Sequence, residues 1–126
     1  MGDFRKPENK RVNKRSLGSN YEKQAADYLV QHGYEILEMN YRNRQGEIDI
    51  IAKEKNTTVF VEVKTRKSLG FGHPFEAINK TKLNKIYMGA LTYAQENKIK
   101  NFRIDGIAII GIENPKIEHL KNISWG

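Results

Sequence analysis

Glu62-Val63-Lys64, with Asp49 just upstream, brings together residue types that can do chemistry. In a β-strand alternate side chains share a face, so Phe60, Glu62 and Lys64 point one way and Val59, Val61 and Val63 the other. Glu62 and Lys64 then stand about 6.5 to 7 Å apart, close enough to act on one reacting group without being locked to each other. In the preceding segment Ile48, Ile50 and Ala52 form one face and Glu47, Asp49 and Ile51 the other, so a hairpin brings Asp49 and Glu62 onto one surface. Like charges that close resist joint ionisation, and a divalent cation is the usual remedy. Mg²⁺ on Asp49 and Glu62, with Mn²⁺ as a substitute, would polarise a phosphate and acidify water, while Lys64 orients the water and stabilises negative charge. Those are the parts of phosphodiester hydrolysis. Glu and Lys alternating with valine is equally the mark of a hairpin with one wet face, and spacing does not separate the two.

The elements that must position these residues follow from periodicity. Ser19-Asn20-Tyr21-Glu22 reads as a capping box with Ser19 as N-cap, followed by an apolar helical face of Ala25, Ala26, Leu29 and Val30 that ends at Gly33. Glu22 lies on that apolar stripe, where a carboxylate needs a partner; capping and ligand duty both account for it. Residues 34–41 form an imperfect strand pattern. Clearer strands run from Glu47 to Ala52 and from Thr57 to Thr65, joined by the polar turn Lys53-Glu54-Lys55-Asn56. A glycine-rich loop, Leu69 to Pro74, leads into a helix carrying Ile78, Leu83, Ile86, Ala90, Leu91 and Ala94 and ending near Asn97. Two short strands, Phe102 to Ile112 and Ile117 to Ile123, close the chain around Glu113-Asn114-Pro115. The order helix, three strands, helix, two strands predicts a three-layer α/β domain, a mixed sheet of about five strands covered by helices.

Composition narrows the chemistry. At 126 residues the chain suits one domain. The absence of cysteine excludes disulfides, thiolate zinc sites and cysteine nucleophiles, leaving carboxylates and three scattered histidines. Oxygen ligands point to a hard cation. No apolar run approaches the ~20 residues of a membrane span, and no signal-peptide core follows the first charges, so a cytoplasmic protein is expected. Of the net charge of +7, residues 1–16 carry +4. That basic stretch is expected to be disordered, with a single domain over 17–126. It suits phosphate backbones, and it equally suits a plain solvated leader.

Gly46-Glu47-Ile48-Asp49-Ile50-Ile51-Ala52 followed by Val59-Phe60-Val61-Glu62-Val63-Lys64-Thr65-Arg66 resembles the bacterial YraN family. The resemblance covers about residues 17–123, through Asn40-Tyr41-Arg42, Phe71-Gly72, Pro74, Glu76-Ala77-Ile78, Lys82 and Phe102-Arg103-Ile104-Asp105. It implies a restriction-endonuclease-like core of the PD-(D/E)xK kind, similar to archaeal Holliday-junction resolvases, which pair a helix Glu with an Asp and a Glu-x-Lys. Carried over, those roles fall on Glu22, Asp49, Glu62 and Lys64, with Glu22 joining Asp49 and Glu62 as a metal ligand. The chain departs from the superfamily's name at Ile48, where the namesake motif has Pro, and at Tyr21, where family members often carry Gly. Neither change removes a ligand.

The leading expectation is therefore a metal-dependent endonuclease acting on structured or branched DNA, with a symmetric dimer letting two sites address two strands. Its rivals are a nucleic-acid-binding protein on the same fold that turns over slowly or not at all, and an assembly module. Arg66, Lys82, Arg42 and Arg44 are weaker candidates for phosphate contact, since exposed Lys and Arg are ordinary on any surface. Glu47 shares a face with Asp49 but can instead pair with Arg44, and Asp105 is similarly ambiguous. His119 reads as a hydrogen-bonded sheet residue, Trp125 as a packing or trailing residue, and Gly70, Gly72 and Pro74 as turn chemistry or a mobile loop at the mouth of the site.

Overall fold

The computed structural model describes residues 13–123. Helix α1 spans Asn13–Gln31 and strands β1, β2 and β3 span Glu35–Asn43, Gly46–Glu54 and Thr57–Arg66. Two short 3₁₀ turns, Leu69–Phe71 and Pro74–Ala77, precede helix α2, Lys80–Glu96, and strands β4, Phe102–Ile110, and β5, Lys116–Leu120, follow. The sheet order is β1-β2-β3-β4-β5, with β3 and β4 parallel and every other pair antiparallel.

The two helices cover opposite faces of the sheet. Ala25, Ala26 and Leu29 of α1 pack on Ile50, Ala52, Val59, Val61, Ile107 and Ile109. Leu83, Ile86 and Ala90 of α2 pack on Ile48, Ile51, Phe60 and Ile104. Each such large side chain taken fully out of water contributes roughly 1.5–3 kcal/mol, which makes these two layers the main source of stability. Strand β4, covered on both faces, is accordingly buried without a break from Ile104 to Ile109, apolar except for Asp105.

Three boundaries differ from expectation for local reasons. Helix α1 begins at Asn13, so Ser19 lies inside it and cannot be its N-cap; the capping explanation for Glu22 falls with it. The β2–β3 turn is only residues 55–56, because Lys55 adopts a positive φ of 55° and Glu54 already pairs with Thr57. Strand β5 stops at Leu120, and Ile123 instead turns beneath α2, its N–H bonding the Ile104 carbonyl at 2.7 Å. Residues 1–12 of the basic stretch, and Trp125, lie outside the described residues; residues 13–16 form the first turn of α1. At its other end α1 stops at Gly33, as expected, where φ reaches +91° and the Tyr34 N–H returns to Leu29.

Candidate functional site

Strict alternation fails at Asp49. Ile48 and Ile51 both pack beneath α2 while Ile50 packs beneath α1, so β2 changes face around Asp49. Strand β1 shares the irregularity: its Met39 and Tyr41, opposite Ile50 and Ile48, also face opposite layers, with Asn40 between them at a φ of +54°. The β2–β3 ladder runs only as far as Ile50 opposite Val61. Beyond it the Asp49 side chain replaces the missing backbone acceptor, its Oδ2 taking the Val63 N–H at 2.8 Å. The carboxylate is thereby wedged between two splayed strands.

Glu62 follows on the α2 face of β3, only 5% exposed. Its Oε2 takes two ammonium groups, Lys64 Nζ at 3.4 Å and Lys82 Nζ at 3.3 Å. Lys64 is the same-face neighbour expected from the strand. Lys82 comes from the first turn of α2, whose cap, the Asn79 side chain, accepts the Lys82 backbone N–H at 2.9 Å. Across the parallel ladder Glu62 faces Gly106. A Cβ there would lie 2.9 Å from both Ile123 Cδ1 and Phe75 Cε1, so the Phe75 ring fits over β4 because residue 106 has no side chain.

Burial, and next the charge of Glu62, push the Asp49 carboxyl from 3.8 to about 7, against the lowering effect of the Val63 N–H. Glu22 and Glu47 push it the same way. The four acidic residues thus belong to one electrostatic cluster, and Glu22 reaches it from α1 without serving as a helix cap. Glu47 pairs with Arg42 at 3.3 Å rather than with Arg44. Both members are solvent-exposed, so the pair contributes little to stability.

The donor set suits a hard cation. Asp49 and Glu62 are carboxylates on adjoining strands, and their mutual repulsion is what a divalent cation relieves. Among the described residues no three His, Asp or Glu side chains are grouped closely enough to hold a metal. Two protein carboxylates are nonetheless sufficient for Mg²⁺, which usually retains several waters and takes further oxygens from a phosphate substrate.

The remaining candidates disperse. Arg66 continues the Glu62, Lys64 face; its η1 nitrogen bonds the Thr65 carbonyl at 3.3 Å, while its buried Nε has no partner among the described residues. Arg44 is exposed in the β1–β2 turn. The glycine loop is two 3₁₀ turns capped by Ser68 and His73. His73 Nδ1 accepts the Phe75 N–H at 3.1 Å, so its Nε2 carries the proton that reaches Glu118 Oε1 on β5 at 2.6 Å. Asp105 faces the other side of the sheet, fully buried, and binds Arg103 at 2.9 Å, His119 at 2.8 Å and the Asn122 N–H at 2.9 Å. Arg103 extends this network to Tyr34 and Glu54. His119 is thus the hydrogen-bonded sheet residue expected, and Asp105 anchors β5 and the turn after it.

The contact of Lys82 with Glu62 was not foreseen. Its signal was present in Asn79-Lys80-Thr81-Lys82, a helix start with two lysines and no acid, against the preference for negative charge there.

No helix among the described residues is long and apolar enough to cross a membrane. A search of solved structures finds Hjc, a Holliday junction resolvase from Archaeoglobus fulgidus, with a TM-score of 0.50 and 15% identity over 81% of this chain and 73% of that one. The likeness is one of fold, the restriction-endonuclease-like arrangement of a mixed five-stranded sheet between helices. Among proteins of similar sequence, a UPF0102 protein of Caldicellulosiruptor saccharolyticus is 50% identical over 100 residues, covering 78% of this chain and 85% of its own. Another, from Clostridium botulinum, is 52% identical over 99 residues, covering 76% and 80%. The model of Uncharacterised protein family UPF0102 matches residues 21–109, a span that holds Glu22, Asp49, Glu62, Lys64 and Lys82, and the chain belongs to that family, the YraN family of the sequence resemblance.

Proposed function

We propose that this chain is a metal-dependent endonuclease that hydrolyses phosphodiester bonds in structured or branched DNA. The observation that carries the proposal is the wedge of Asp49 and Glu62, two crowded carboxylates beside Lys64 at the point where β2 and β3 part. A purely structural hairpin gains nothing from burying like charges together, and such perturbed clusters mark functional sites. The likeness of fold to a protein named as a Holliday junction resolvase supports the choice of DNA and of branched substrates.

Asp49 and Glu62 would hold Mg²⁺ or Mn²⁺, with Glu22 supporting them from α1. A cation held there supplies Lewis-acid polarisation of the scissile phosphate and acidifies water. Lys64, half-buried at the same oxygen of Glu62, is placed to orient the attacking water and to neutralise charge developing on the phosphate. The unpartnered Nε of Arg66 offers a donor to a neighbouring phosphate oxygen. Arg42 of β1 and Arg44 of the β1–β2 turn are further candidates for phosphate contact, although Arg42 is paired with Glu47 in the free chain. The proposal carries with it a cytoplasmic location and a symmetric dimer that addresses two strands.

The test is cleavage of labelled single-stranded, duplex, flap and four-way-junction DNA with Mg²⁺ or Mn²⁺, comparing wild type with Lys64→Ala. Metal-dependent cutting that disappears in the variant is expected. DNA binding without cutting by the wild type on every substrate would replace the proposal with a nucleic-acid-binding protein on a nuclease fold.

A further inference from the structure

Glu62 has more positive charge than a strand carboxylate needs. Lys64 alone supplies a same-face partner, yet Lys82 reaches the same Oε2 from a different element. Lys82 gains nothing from its position in the helix. It occupies the first turn of α2 together with Lys80, with no acid in that turn, where the exposed N–H groups already present partial positive charge. A residue that violates the local rule in this way is most simply explained by the site it faces. The two lysines also differ in freedom: Lys64 is 23% exposed and Lys82 41% exposed.

Resting on the nuclease reading, we propose that Lys82 is a displaceable counter-ion that couples cation binding to polyanion binding. In the cation-free protein its ammonium occupies Glu62 and keeps the carboxylate compensated. A divalent cation arriving at Glu62 brings two positive charges against two ammonium groups, and the more exposed one, Lys82, leaves. Repelled by both the cation and the helix terminus, that ammonium becomes available to a phosphodiester oxygen beside the scissile group. Each ligand then strengthens the other, as linkage requires. Lys82 is accordingly a positioning residue in the free protein and a phosphate contact in the complex.

Calorimetric titration of the full chain with Ca²⁺ or Mn²⁺, without nucleic acid, tests the first half. Anisotropy of a labelled four-way-junction oligonucleotide, with and without Ca²⁺, tests the second. Lys82→Met is expected to bind the cation roughly fivefold or more tightly than wild type, within the usual range of coupling, because the competitor is gone. The same variant should lose most of the tightening that Ca²⁺ confers on junction binding, and Lys82→Arg should retain it. A lysine that merely stabilised α2 would not raise cation affinity when removed. If wild type binds the cation, Glu62→Gln abolishes that binding and Lys82→Met leaves it unchanged or weaker, the counter-ion role is wrong and the nuclease reading stands. If wild type binds neither cation, both fall.

Discussion

Asp49→Asn should make the protein more stable in the absence of divalent cation and, on the proposed nuclease reading, should abolish cation binding. A carboxylate raised from 3.8 to about 7 binds more protons folded than unfolded between those values, so stability falls as pH rises across that window. At ~1.4 kcal/mol per pH unit the ionised Asp49 costs the fold on the order of 4 kcal/mol by pH 8. Asparagine keeps an oxygen to accept the Val63 N–H but carries no charge against Glu62, Glu22 and Glu47, so most of that cost disappears. The variant should therefore exceed wild type by about 2–4 kcal/mol at pH 8 and match it near pH 4. With a urea m-value of about 2 kcal/mol per molar, the middle of the usual range, the midpoint moves up by about 1–2 M. The assay is urea unfolding in EDTA at both pH values, so that bound cation does not stabilise wild type by mass action. A variant less stable than wild type at pH 8, or a difference unchanged between the two pH values, would refute the claim that burial and Glu62 crowd this carboxyl.

Two further predictions concern the frame around the site. Gly106→Ala places a Cβ 2.9 Å from Phe75 and Ile123 and should destabilise by about 1–3 kcal/mol in urea, with partial recovery when Phe75→Leu is added; a neutral alanine would mean that the ring is not seated there. Asp105→Asn breaks the buried network with Arg103 and His119 and should cost about 3–5 kcal/mol. Burial pushes the Asp105 carboxyl up, but the hydrogen bonds of His119, Arg103 and the Asn122 N–H outweigh it and hold it below the usual carboxylate range. Its contribution is then present above an unfolded pKa of about 3.9 and lost as pH falls through the folded value. The variant's unfolding curve should flatten on the acid side; an acid limb identical to wild type would remove Asp105 from the account of stability.

Strands and layers were legible because their signals are local. Val59, Val61 and Val63 against Phe60, Glu62 and Lys64 is a period-two pattern that survives folding unchanged, and Leu83, Ile86 and Ala90 keep helical spacing to the end of α2. Glu62 beside Lys64 was likewise legible, since two positions on one strand face must be neighbours. Asp49 was only half legible. The change of face at Asn40 and Asp49 depends on two strands departing from alternation together, so sequence correctly brought the carboxylate to Glu62 but could not show that it replaces a ladder acceptor. Glu22 was obscured by a plausible cap that the longer α1 removes. Lys82 depends on Glu62 of β3, and Asp105 on His119 of β5 and the Asn122 N–H as well as on its near neighbour Arg103, and periodicity is blind to pairs between such distant elements.

The parallel pairing of β3 with β4 has a kinetic consequence. The meander β1-β2-β3 and the hairpin β4-β5 each close over short connections, whereas bringing Glu62 opposite Gly106 closes a loop through both 3₁₀ turns and all of α2. Contacts between residues distant in sequence form late, after the entropy of closure has been met. During refolding, Asp49 and Glu62 can therefore meet early on the meander while still wet, and their repulsion becomes costly only when β4 and α2 arrive to bury them. Burying this acidic pair is thus the step its own repulsion opposes, and on the proposed nuclease reading a divalent cation in the refolding buffer is expected to accelerate refolding.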